Sequence, residues 1–283
     1  LRGWTQAEFR EARKKLTKGE GINKQYGMWW GISWNRAYAN HVIQDMLGRY
    51  TRYKNDQMTE TNFDHPLFAQ GLQLIVDTMR TDKTAIPLED EVGDKIDFAK
   101  AFISGKAAIA VDQVQIRIVK DTKTYPHDFV SAMIPAPVPS GEFMDRWNHD
   151  VGAGGGSDYV CISAKTQYPK EALDTFIWYL KGGSYPLAKG GRLPLWSGVD
   201  RSVVADALLE GADGVFIRES VLNYLGSINA NRAFSALSGP ASPQIEKVWA
   251  EEMEAALYGK KTVSQALKDA KTRADDLIAK LAK

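Results

Sequence analysis

Cysteine is nearly absent from this 283-residue chain. Its one example, Cys161, excludes a disulfide framework and a cysteine-rich metal site. Cys161 falls in the strand-like run Tyr159-Val160-Cys161-Ile162, so the thiol is expected to be a buried small hydrophobe. Long apolar runs are missing too, and no segment approaches the ~18 residues that would cross a bilayer as a helix. Neither charge sign dominates. With 36 Lys and Arg against 35 Asp and Glu and a pI near 7.9, no bulk field favours nucleic acid or an anionic membrane. The four histidines, His41, His65, His127 and His149, sit singly and without metal-ligand spacing, and there is no G-x-S-x-G elbow. No metal, no cofactor and no catalytic constellation is therefore expected. A signal peptide and an initiator methionine are also lacking, so the opening Leu1-Arg2-Gly3 reads as a fragment or a processed chain.

What is present alternates helical and strand-like patterns, which indicates an α/β fold of one large or two small domains. The organising stretch is residues 95–115, KIDFAKAFISGKAAIAVDQVQ. Asp97, Phe98, Phe102 and Ile103 are spaced as on one face of a short helix, and Gly105 sits where its end wants a left-handed residue. Ala107-Ala108-Ile109-Ala110-Val111 follows as a buried strand and breaks into polar Asp112-Gln113. Polar groups at the C-terminal end of a strand are what an open α/β sheet offers a ligand.

Residues 26–53 hold Trp29, Trp30, Trp34 and four tyrosines, a density well above the 10% aromatic content of the chain. Aromatic faces stack on the C–H faces of sugar rings, and Asn, Arg and Gln bind hydroxyls. Adjacent Trp29 and Trp30 would point to opposite faces of a strand, which makes them core residues. Trp34, Asn35, Arg36 and Tyr38, with polar residues between the rings, are read as ligand contacts. A second aromatic–polar cluster holds Trp147, Asn148 and Asp150, followed by glycines that include Gly155 and Gly156. That run is either a flexible hairpin or a place where a ligand meets bare backbone N–H groups. It is neither a dinucleotide fingerprint nor a P-loop.

The remaining elements carry clear boundary signals. Thr5-Gln6-Ala7-Glu8 is a capping box, with Trp4 and Phe9 as its staple. Asp64 is expected to cap a helix carrying Leu67, Phe68, Leu72, Ile75, Val76 and Met79, with Pro66 in its first turn. Residues 81–95, with Glu89, Asp90, Glu91 and Asp94, read as a solvated acidic loop. Residues 128–134 read as a strand, and residues 169–180 as a helix with a stripe of Ala172, Leu173, Phe176, Ile177 and Leu180. Helices are expected at 203–209, 218–225 and 243–258. Thr262-Val263-Ser264-Gln265 caps the last one.

Four motifs in order resemble the extracellular solute-binding proteins of bacterial ABC importers, the maltose-binding-protein-like family. They are WTQAEFREARKKL, the GKAAIAV strand, GGGSDYVCISAKTQYPKEALDTFIWYL with GGRLPLWSGVD after it, and ALYGKKTVSQALKDAKTRADDLI. The resemblance implies a two-lobed α/β fold of the type II periplasmic-binding-protein class, with the C-terminal lobe the more complete. Residues 1–147 and 235–283 would form that lobe, and 148–234 would visit the other. The W-T-x-x-E-F helix lies well inside the family's proteins, which implies that much of the N-terminal lobe is missing from this chain. The implied function is reversible capture of a sugar or oligosaccharide for delivery to the importer's permease subunits. Such a protein is a monomer, periplasmic or at the bacterial cell surface. Asp112 and Gln113 would enter the cleft, and Arg192 and Trp196 would lie near it. The alternative is a carbohydrate-active enzyme with a carboxylate pair across an aromatic-lined cleft.

Overall fold

The structure is a computed structural model, and it describes residues 5–32, 52–111, 115–134, 153–154, 161–183, 185–191, 198–212, 214–226, 233–234 and 237–281. The chain packs as two compact units. The larger comprises Arg2–Asp112, Ala136–Gly155 and Arg232–Lys283, and the smaller comprises Gln113–Pro135 and Gly156–Asn231.

The larger unit is built on extended residues 26–30. Met28 donates its N–H to Thr84 and accepts from Ile86 on one side, each at 3.1 Å. On the other side Tyr26 donates to Lys106 at 2.8 Å and Trp29 to Ile109 at 2.8 Å, while Val111 donates back to Trp29 at 3.1 Å. All three pairings are parallel. The alanine-rich 107–111 run is thus paired as expected, and Gly105 before it has φ +75°. Trp29 and Trp30 are both fully buried on opposite faces. Trp29 packs with Ile86, Ile96, Ala101 and Ala107, and Trp30 enters the main core with its indole N–H on Thr78 Oγ1 at 2.8 Å.

Helices cover this sheet. α1 (Gln6–Leu16) begins with the expected capping box, Thr5 and Glu8 bonding reciprocally. α2 (Pro66–Val76) is capped by His65, whose Nδ1 accepts the Leu67 N–H at 3.2 Å. Asp64 does not cap it, because its carboxylate is held by Lys54 at 2.7 Å. α3 (Leu88–Gly93) replaces the expected acidic loop, and Glu91 is fully buried in it. The periodicity of Leu88 and Glu91, one helical turn apart, outweighs the charge count. In the smaller unit α4 (Ile116–Lys120), α6 (Arg201–Leu209) and α7 (Arg218–Gly226) share a core of Ile116, Val204, Leu208 and Val221. Lys120 ties α4 to α6 by donating to the Leu208 carbonyl at 2.9 Å. Among the described residues, 128–134, expected as a strand, pair only at Ser131, between Val215 and Ile217.

One burial expectation for the smaller unit is corrected. Cys161 is exposed, and residues 161–163 have no ladder partner among the described residues; Tyr159 and Val160 lie outside them. α5 (Pro169–Trp178) has its expected stripe, yet Leu173 and Ile177 stay 48% and 38% exposed. A helical period specifies which side chains share a face, and burial needs a second surface against that face.

The core of the larger unit is closed by α8 (Ser242–Leu257) and α9 (Val263–Leu281). α8 contributes Ile245, Val248, Trp249, Met253 and Leu257, and α9 offers the small Ala266, Ala270 and Ala274. Gly259, with φ +71°, turns the chain between them, and Thr262 Oγ1 accepts the Gln265 N–H at 3.1 Å. β1 (Ala153–Gly154) and β2 (Ala233–Phe234) form a short parallel pair in the same unit.

α9 is fastened to the turn at residues 54–64 by ions. Lys271 bonds Glu60 at 2.7 Å and Asp275 at 2.9 Å, and Lys54 bonds Glu60 at 2.8 Å. Hydrogen bonds from Lys271 and then Lys54 lower the Glu60 carboxyl from 4.5 to about 2. A carboxyl depressed in the folded state contributes stability above its unfolded value, and this is lost as pH falls through the folded one. Urea midpoints of the wild type should therefore fall more steeply between about pH 4.5 and pH 2 than those of Glu60→Gln. Parallel pH profiles would show that Glu60 contributes nothing, as exposed pairs often do.

Candidate functional site

The strand ends of the larger unit define where a ligand could sit. Residues 26–30 and 107–111 run parallel and finish side by side, with Trp29 bridged to Ala110. Gly31 has φ +65°, and a Cβ there would lie 3.4 Å from both the Val111 carbonyl oxygen and the Trp29 ring. Glycine is required at this turn because an L side chain would be strained in that conformation. The described strands stop at Ile32 and Val111. In sequence, Trp34, Asn35, Arg36 and Tyr38 come directly after the first, and Asp112 and Gln113 after the second. Gly155 and Gly156 likewise follow β1, itself part of a parallel pair.

These residues themselves lie outside the described residues, as do Trp147, Asn148, Asp150, Arg192 and Trp196. In sequence, three of the predicted clusters follow the C-terminal end of a parallel-paired segment. Open α/β sheets bind ligands at that edge. Gly31 is the member that sequence reasoning missed; its position directly after two tryptophans was the available signal. Among the described residues no group of His, Cys, Asp or Glu could hold a metal ion, and no helix is long and apolar enough to cross a membrane.

A large groove of about 1060 Å³ lies elsewhere in the larger unit. Residues of α1, α2 and α9 line it. Arg13 and Asp82 stand in its lining. Arg13 is 1% exposed, donates to Thr84 Oγ1 at 2.8 Å and lies 3.8 Å from Asp82. Burial lowers its pKa to about 10, against the opposing pull of Asp82.

No family model and no curated protein matches the chain. Solved structures do. A sugar transporter from Rhizobium etli, in an open conformation, superposes with a TM-score of 0.66 at 18% identity, over 97% of this chain and 64% of its own. The chain has the same fold. It is an α/β fold of the type II periplasmic-binding-protein class. The sugar-binding protein MalE from Xanthomonas citri gives a TM-score of 0.64 at 14% identity, over 100% of this chain and 65% of that one. The cyclic alpha-maltosyl-1,6-maltose binding protein from Arthrobacter globiformis also gives 0.64, at 17% identity over 98% and 65%. This chain thus spans slightly less than two thirds of the length of these proteins.

Proposed function

We propose that this chain is part of an extracytoplasmic solute-binding protein that captures a neutral sugar or oligosaccharide for an ABC importer. The observation that carries the reading is the succession of Trp34-Asn35-Arg36, Asp112-Gln113 and Gly155-Gly156 onto the C-terminal ends of parallel-paired segments. An indole supplies the stacking face, Asn, Arg, Asp and Gln bond hydroxyls, and glycines leave backbone N–H groups open. Trp147, Asn148, Asp150, Arg192 and Trp196 complete the contact set. No bond in the ligand is made or broken, so capture is stoichiometric and reversible. The larger unit corresponds to the C-terminal lobe, and the permease subunits of the importer receive the ligand from a monomeric binding protein. The solved structures that share the fold are sugar-binding or sugar-transport proteins, which supports a sugar as the ligand class.

Calorimetric titration with maltooligosaccharides tests this. Trp34→Ala should weaken binding at least tenfold, about 1.4 kcal/mol, while the melting temperature stays unchanged. A drop in stability of about 3–5 kcal/mol would instead place Trp34 in the core. Release of a shortened sugar would replace the binding reading with the enzyme one.

A further inference from the structure

Trp178 closes α5 on the side of the helix opposite the apolar stripe of Ala172, Leu173, Phe176 and Ile177. One turn before it on the same face stand Asp174 and Thr175, and two turns before it Glu171. All three are exposed, and Trp178 itself is 63% exposed. A surface laid against the stripe would therefore leave this indole in water.

One face of the ring is already occupied. Gly182, with φ +113°, turns the chain back after α5, a conformation that favours glycine. Gly183 then comes to rest against the indole. A Cβ there would stand 2.7 Å from each of Cδ2, Cε2 and Cε3 of Trp178. Equal distances to three adjacent ring atoms put Gly183 over the face of the ring and not at its edge. The opposite face is open. Single exposed apolar side chains are ordinary. A flat ring backed by main chain is different, because it is a preorganised stacking surface with little freedom left to lose on binding.

The flanking groups select the ligand. Their charges balance: Lys170 lies 3.9 Å from Asp174, and Glu171 and Lys181 add one charge of each sign. Neither an anion nor a cation is favoured. Asp174 is 66% exposed, and a carboxylate beside one lysine keeps lone pairs for further donors. Thr175 Oγ1 donates to the Glu171 carbonyl at 2.9 Å and can still accept. An apolar ring face bordered by such acceptors fits a ring that has C–H bonds on its face and hydroxyls at its rim.

We propose that the open face of Trp178 is a surface binding site for one ring of a neutral carbohydrate. The C–H face of the sugar lies on the indole, and its hydroxyls donate to Asp174 and Thr175.

Titration of the ¹⁵N-labelled chain with maltotriose tests it, with phenol, spermidine and citrate as aromatic, cationic and anionic comparators. Saturable shifts are expected at the Trp178 indole N–H and at the amides of Asp174, Thr175 and Lys181. Trp178→Ala should weaken the amide response about fivefold or more, while Trp178→Tyr, which keeps a ring face, retains most of it. Gly183→Ala should weaken it likewise by pushing the indole off its backing. That ring is at the surface and free to move, so folding is not at risk. The absence of saturable shifts, an undiminished response in Trp178→Ala or Gly183→Ala, or a stronger response to any comparator would each overturn the proposal. Trp34→Ala should leave these shifts in place, and their loss there would show them to be transmitted from the capture site, which also overturns it. Trp178-dependent shifts in a chain without Trp34-dependent binding would sustain this site and sink the capture reading.

Discussion

Trp249→Ala should destabilise the larger unit by about 3–5 kcal/mol, the range for a large aromatic removed from a packed core. Trp249 is 4% exposed. Its ring stacks on Phe63 at 5.3 Å and 15°, and Phe68 meets it edge-on at 5.4 Å and 84°. Alanine would lose the transfer energy of the indole and leave a void that three helices cannot all close around. The matched substitution is Trp178→Ala on α5, where the indole is 63% exposed and the expected change is within about 0.5 kcal/mol. Urea unfolding followed by far-UV circular dichroism compares the two. Equal losses would mean that burial does not separate these tryptophans, and the assignment of the core to α2, α8 and α9 would fail.

Gly27→Ala is expected to have the next largest effect, and for the opposite physical reason. A Cβ at Gly27 would sit 2.3 Å from the Arg13 carbonyl oxygen and 2.8 Å from its Cα. Both are backbone atoms of α1, so no rotamer change relieves the clash. Either α1 or residues 26–30 must move, and the parallel pairing of Tyr26 and Met28 moves with them. Overpacking of this kind costs about 1–3 kcal/mol, and a backbone obstacle puts Gly27 at the upper end. For a domain of this size that lowers the melting temperature by roughly 6–12 °C, at ~2–4 °C per kcal/mol. Gly93→Ala serves as the control, because nothing lies within 4 Å of a Cβ there. A Gly27→Ala variant that melts with the wild type would show that α1 is not pressed against this segment.

The contrast between these positions marks how far the residues alone could be read. The stripe of Ile245, Val248, Trp249, Met253 and Leu257 and that of Leu173, Phe176 and Ile177 have the same helical period. The first is buried and the second is not. Likewise Trp29 and Trp30 were placed in the core because neighbours on a strand face opposite ways, and both are fully buried. Cys161 was placed inside by the apolar character of its neighbours and lies outside. Local pattern cannot see whether a second layer exists. The groove was equally hidden, since its lining comes from three helices whose separate sequences carry no sign of the space between them.

The sequence by itself determined most of the longer helices, though not α3 or α4, because caps, glycines and apolar periods act within one turn of chain. Thr5 with Glu8 and Gly105 hold the conformations expected of them. It also determined that α/β elements alternate, and therefore the class of fold. Only the tertiary structure decided which stripes meet a partner and which helix His65 rather than Asp64 would cap, since Lys54 competes for the Asp64 carboxylate. It alone brought residues 26–30 and 107–111 together, so that Trp34-Asn35-Arg36 and Asp112-Gln113 follow neighbouring strand ends. Pairing across some 80 residues of intervening chain depends on competition among all possible partners, and no local window contains that comparison.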